Sequence, residues 1–196
     1  MTVKRSITRD YIMDMADYGK VRSERRKAMS VIKKDRRLAV GPFVTFYFEN
    51  YETMLQQVHE MLYVERGGEA QITDELAAYN PLIPQGRELV VTMMIGIEDP
   101  ARRDRELHQL TFIEKSVTLA LDGVEISATA EEEVERTKAN GKTSAIHFLH
   151  FSLTDAQAQA FKVIGARVVL GIGHENYAHM AAVPEIVRAA LATDLD

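Results

Sequence analysis

No cysteine occurs anywhere in the 196 residues, and that one absence removes several chemistries together. Thiol nucleophiles, disulfide exchange, thiolate zinc sites and cysteine-ligated iron–sulfur clusters are excluded. A reducing compartment suits such a chain. Long apolar runs are missing too: Val90–Ile97 and Val168–Ile172 fall far short of the ~20 residues a bilayer span needs. The first ten residues contain no apolar stretch of the kind a secretory signal requires. The expectation is a cytoplasmic protein without membrane insertion. Internal repeats, low-complexity tracts and Pro/Gly/Ser linkers are also lacking, which leaves a single domain over residues 1–196.

Recognisable catalytic patterns are equally scarce. There is no GxGxxG, HExxH, GxSxG or EF-hand string. Asn140-Gly141-Lys142-Thr143-Ser144 imitates the end of a phosphate-binding loop, but the spacing requires glycine where Arg136 stands. An acidic helix before it and a strand after it would also reverse the order such a loop needs.

What is present is the composition of a globular protein, 46% hydrophobic and 27% charged. A chain of this length can bury roughly 70% of its unfolded surface without disulfides or a structural metal. The net charge of −5 conceals an asymmetry. Residues 1–37 hold 12 Lys/Arg against 5 Asp/Glu, and the remainder holds 12 against 24. A basic end on an acidic body can seek nucleic acid or an acidic partner, or dock on its own body.

Hydrophobic periodicity and turn residues set out the elements. Thr8 is a candidate N-cap for a short helix over Asp10–Ala16, with a break at Gly19 and a basic helix over Lys20–Arg36. The helical N-terminal part thus covers about 1–37. Leu38–Phe48 reads as a strand interrupted by Gly41-Pro42, with Val44, Phe46 and Phe48 on one face and Phe43, Thr45 and Tyr47 on the other. A helix over Tyr51–Arg66 follows, then a shorter one from Thr73 that stops before Asn80-Pro81, where a loop over Asn80–Gln85 begins. Val90–Ile97 is a strand, and Asp99-Pro100 opens a helix over Ala101–Leu110. Asp122-Gly123 suits a tight hairpin between Val117–Leu121 and Val124–Ala128. Thr129–Glu132 has capping-box spacing before an acidic run, Glu131–Glu135. Ala145–Leu153 is a strand, and Thr154 with Gln157 caps a helix to about Lys162. Arg167–Ile172 and Tyr177–Val183 form a second hairpin, after which Pro184 opens the last helix. Strands joined by hairpins, without strict β–α alternation, point to an α+β fold: a mainly antiparallel sheet of about six strands with helices packed on it.

Candidate site residues come from the six histidines. His147 and His150 are three apart on a strand, so they face opposite sides. Glu52, Gln56, His59 and Tyr63 line one helix face beside an apolar stripe. Such a face offers metal ligands or a general base, or it is a polar face with a satisfied histidine. His174, in Gly171-Ile172-Gly173-His174-Glu175-Asn176, falls in an expected loop, where function often sits or where glycines merely permit a turn. Glu52, His59, His147 and His174 are therefore the candidates for a divalent metal; no other cofactor is expected. The basic segment Lys20–Arg37, nine Lys/Arg against two acids, lacks the interleaved aromatics of base-stacking surfaces, so nucleic acid is disfavoured as its partner.

Four strings share a resemblance. Phe48-Glu49-Asn50, Glu60-Met61-Leu62 with Glu65-Arg66, Ala78-Tyr79-Asn80-Pro81-Leu82-Ile83-Pro84, and Lys142-Thr143-Ser144-Ala145-Ile146-His147-Phe148-Leu149 resemble an uncharacterised bacterial family, a domain of unknown function, over nearly the whole chain. The resemblance implies an origin beside a rubrerythrin-like di-iron protein and an iron–sulfur oxidoreductase, hence a role in peroxide defence or electron transfer. Any iron–sulfur cluster would belong to that partner. The leading expectation is a non-catalytic accessory or binding protein of such a redox system. The alternatives are a metal-dependent enzyme with a His/Glu site, and nucleic-acid binding through the basic N-terminal helix.

Overall fold

The first long helix, α1 (Met15–Lys34), begins where the Asp14 carboxylate accepts the amides of Ala16 at 2.8 Å and Asp17 at 3.3 Å. Thr8 heads only a 3-10 turn over Arg9–Tyr11 and makes no side-chain cap. The expected break at Gly19 does not occur. A Cβ there would lie 3.0 Å from the Tyr63 ring, so this glycine serves close helix packing rather than helix termination. The computed structural model describes residues 4–130, 137 and 140–196.

Gly41, at φ 73°, turns the chain between β1 (Arg37–Val40) and β2 (Val44–Glu49). The single interrupted strand expected there is a hairpin. The α2 helix (Tyr51–Glu65) has a reciprocal capping box between Asn50 and Thr53, and Arg66 ends it in the left-handed region at φ 56°. Helix α3 (Gly68–Tyr79) starts well before Thr73, because Ile72 is buried with Leu62 and Val58 and draws the preceding turn into the helix. Next come β3 (Glu88–Ile95) and α4 (Pro100–Gln109), the latter capped by Asp99 on the Arg102 amide at 2.6 Å.

The β4–β5 hairpin (Val117–Leu121, Val124–Ser127) turns through Asp122 and Gly123 at φ 49° and 89°, as a type I′ turn requires. Thr129 lies in β6 (Thr129–Ala130), paired with His150 on β7 (Ile146–Ser152), and not at a helix start. The acidic run Glu131–Glu135 lies outside the described residues. Thr154 and Gln157 box the start of α5 (Asp155–Lys162). The chain ends with β8 (Val168–His174), β9 (Tyr177–Ala182) and α6 (Glu185–Ala192).

These strands form two sheets, β1-β2-β3-β7-β6 and β5-β4-β8-β9, with antiparallel pairing throughout the described residues. The fold is α+β, with the strands divided between two sheets that share one core. Val44, Phe46, Phe48, Val91, Met93, Leu149 and Phe151 of the first meet Leu119, Leu170 and Ile172 of the second, joined by Phe161 and Leu191 from α5 and α6. A second core, of Met54, Val58, Leu62, Ile72, Ile83 and Val90, glues α2 and α3 to the opposite face of the five-stranded sheet. No helix of the described residues is long and apolar enough to cross a membrane.

Candidate functional site: a cleft on the outer sheet face

Strand alternation decides which side chains reach that outer face. The register aligns Tyr47 with Thr92 and Thr92 with Phe148, so these three form one row across β2, β3 and β7. The neighbouring rows are Thr45, Met94 and Ile146 on one side, and Glu49, Val90 and His150 on the other. Helices α2 and α3 cover the Val90 end, while Met94 and Ile146 remain 39% and 45% exposed. Between covered and uncovered parts runs a cleft of ≈ 320 Å³, with Met54 and Gln57 of α2, Tyr79 of α3 and Lys33 of α1 along its sides.

Its polar groups are few and placed. Glu49 is only 5% exposed. Its Oε1 accepts the Thr92 hydroxyl at 2.7 Å, and Oε2 is buried with no donor from the described residues. Arg36 donates to the main-chain carbonyls of Phe48 (3.0 Å) and Glu49 (3.1 Å), fixing the end of β2. Gln57 donates to the Tyr79 hydroxyl at 3.5 Å. Burial pushes the Tyr79 phenol above its ordinary value, and the nearby negative charges of Glu75, Glu65 and Glu49 push the same way. It therefore stays protonated at neutral pH.

The histidines are distributed elsewhere. His59 is fully buried between α1 and α2, its ring stacked on Tyr18 at 4.9 Å. Its Nδ1 donates to the Leu55 carbonyl at 2.7 Å and its Nε2 accepts the Met13 amide at 3.1 Å. Desolvation lowers its pKa below the usual imidazole value. Gln56 and Tyr18 continue outward to the half-buried Glu60, which Arg22 holds at 2.8 Å; the helix face expected to offer ligands is the seam on which α1 packs. Glu52 is exposed in the first turn of α2.

His147 and His150 take opposite faces, as their spacing dictates: His147 is buried in the inter-sheet core and His150 pairs with Glu88 at 2.8 Å. His147 Nδ1 stands 3.7 Å from the buried Glu114 carboxylate, and its Nε2 lies 2.8 Å from the Ser144 carbonyl. His174 is the last residue of β8 rather than part of a loop. Its Nε2 meets the Thr111 carbonyl at 3.1 Å and its Nδ1 accepts the Asn176 amide at 3.2 Å. Among the described residues no group of three His, Asp or Glu side chains is placed to hold a metal ion. Lys142, from the string that imitates a phosphate loop, pairs with Asp104 at 2.5 Å and pins that segment to α4.

The basic N-terminal part docks at least in part on its own acidic body. Arg5 pairs with Asp196, Arg9 with Glu69, Arg22 with Glu60 and Arg36 with Asp194. The cleft residues were not among the histidine-centred candidates. One signal was legible: Glu49 puts an acid on the half-covered face of a strongly apolar strand. Glu49, Tyr79, Ile146 and Phe148 also come from three of the four strings that carry the family resemblance.

Comparison with known proteins agrees with this outline. A family model described as "Protein of unknown function (DUF3501)" matches residues 6–195. A crystal structure of a protein of unknown function from Burkholderia pseudomallei K96243 is similar over 97% of this chain and 100% of its own, at 37% identity and a TM-score of 0.90. No curated protein matches.

Proposed function

The chain belongs to the DUF3501 family of proteins of unknown function, and from that premise we propose that it is a non-catalytic accessory protein that binds a small organic molecule in the outer-face cleft. One observation carries the reading. The cleft is concave and largely apolar, and a few polar groups from three helices and the sheet converge in it. That combination of apolar lining and sparse orienting groups is what small-molecule sites share, and its volume fits a compact ligand. The accessory role rests on the sequence, which holds no thiol, phosphate cradle, metal motif or recognisable nucleophile setting.

Ligand-observed NMR with small aromatic probes (benzyl alcohol, phenol, benzylamine) tests the cleft. Thr92 lies at the centre of the floor, so Thr92→Trp should fill it. Binding of a probe to the wild type and its loss in the variant is the expected result. No binding to the wild type, or equal binding to both, overturns the reading.

The family resemblance adds a setting to this proposal: service to a rubrerythrin-like protein or an iron–sulfur oxidoreductase. Affinity purification from the native host at low salt is the check. Enrichment of either protein supports that setting, and enrichment of neither removes it while leaving the cleft reading intact.

A further inference from the structure

We infer that the ligand of this cleft is an organic ammonium, a protonated amine on an apolar body, and that Glu49 is the residue that selects it. The inference rests on the reading of the cleft as a binding site and specifies its chemistry.

The argument begins with Glu49. A carboxylate has two oxygens that both seek donors. Thr92 supplies one to Oε1, while Oε2 is buried with none from the described residues. A buried acceptor without a donor is costly, and more so when it carries charge. Arg36, which holds the Glu49 main chain, spends its donors on Asp194 and on the carbonyls of Phe48, Glu49 and Ala190. Arg36 is thus committed to Asp194 and to main-chain carbonyls and gives the Glu49 side chain no donor. A cationic N–H donor gives Oε2 a charge-assisted bond, a neutral donor gives it a weaker one, and a carboxylate brings no donor at all.

The walls fit such a ligand. Tyr47, Tyr79 and Phe148 line the cleft, and aromatic side chains attract ammonium groups. Met54 and Met94 are adaptable side chains that can yield to an entering body and repack on it. Lys33 lies at the side of the cleft, so the preference for an ammonium rests on the buried Oε2 acceptor of Glu49 and not on the net charge of the lining.

Calorimetric titration with three probes of one shape reads the charge preference directly: benzylamine, benzyl alcohol and benzoate at neutral pH. Benzylamine should bind roughly tenfold or more tighter than benzyl alcohol, the worth of a charge-assisted hydrogen bond, and benzoate should not bind. Glu49→Gln keeps an acceptor for Thr92 and should abolish the preference for benzylamine over benzyl alcohol. Equal or tighter binding of benzyl alcohol to the wild type overturns the inference with no variant needed, and so does a preference that survives in Glu49→Gln. Failure of all three probes overturns the cleft reading itself, and this inference with it.

Discussion

Arg36 and Asp194 form a buried ion pair across 158 residues of sequence, tying the β1–β2 hairpin to the end of the chain. The same guanidinium holds the carbonyls of Phe48, Glu49 and Ala190, so one side chain fixes both the strand that carries Glu49 and the last helix. Asp194→Asn leaves that cation buried without its counter-charge. Chemical denaturation should show a loss of about 3–5 kcal/mol. The exposed pair Arg9–Glu69 is the control, and Glu69→Gln should leave the midpoint unmoved. Similar effects at both sites would mean that Arg36 is satisfied by its carbonyls alone.

Tyr177 links the two sheets in a comparable way. Its hydroxyl donates to the Val40 carbonyl at 2.8 Å and accepts the amides of Phe43 and Val44 at 3.2 Å. Gly41, between them at φ 73°, has no room for a side chain, since a Cβ would stand 2.5 Å from the Tyr177 hydroxyl. Gly41→Ala combines left-handed strain with displacement of that hydroxyl and should cost about 2–4 kcal/mol in a urea melt. Tyr177→Phe leaves the turn amides short of an acceptor and should cost about 1–3 kcal/mol. A neutral Gly41→Ala would show that the turn tolerates rearrangement.

Acid should destabilise the fold through His59. Burial holds its folded pKa below the unfolded value, against the Leu55 carbonyl and Glu60, which raise it, and with Arg25, which lowers it further. The stability this contributes is complete above the unfolded pKa and is lost as pH falls toward the folded one, because the unfolded chain binds the proton first. Stability should therefore fall as pH drops below about 6.5, the ordinary imidazole value, by at most about 1.4 kcal/mol per pH unit for one group, and thermal melts across that range check it. Glu60, whose pKa the Arg22 bond lowers, titrates at lower pH and does not confuse the window. A slope unchanged in His59→Gln would assign the effect elsewhere.

A metal-dependent activity remains the alternative from the sequence, and elemental analysis separates it. Both ring nitrogens of His59 and of His174 already bond to main-chain groups, so an ion must break those bonds to bind there. Protein without a histidine tag, incubated in turn with iron, zinc and manganese, should retain less than one equivalent of each. Stoichiometric retention would favour the metal enzyme.

The sequence by itself determined what a few adjacent residues can settle. Asp122-Gly123 forces its turn, Asp99-Pro100 and Thr154/Gln157 start their helices, and the alternation through Val44, Phe46 and Phe48 assigns faces. Each depends on φ preferences, a cap within three residues, or the two-residue strand period. Only the tertiary structure decided what distant segments do to one another. Gly19 looked like a break until Tyr63 packed against it, and His59 looked like a ligand until α1 closed over it. The division of the strands into two sheets was hidden because pairing partners are chosen by burial summed across the whole chain. The cleft was hidden for the same reason: Lys33, Glu49, Tyr79, Thr92 and Phe148 become neighbours only through strand register and helix docking.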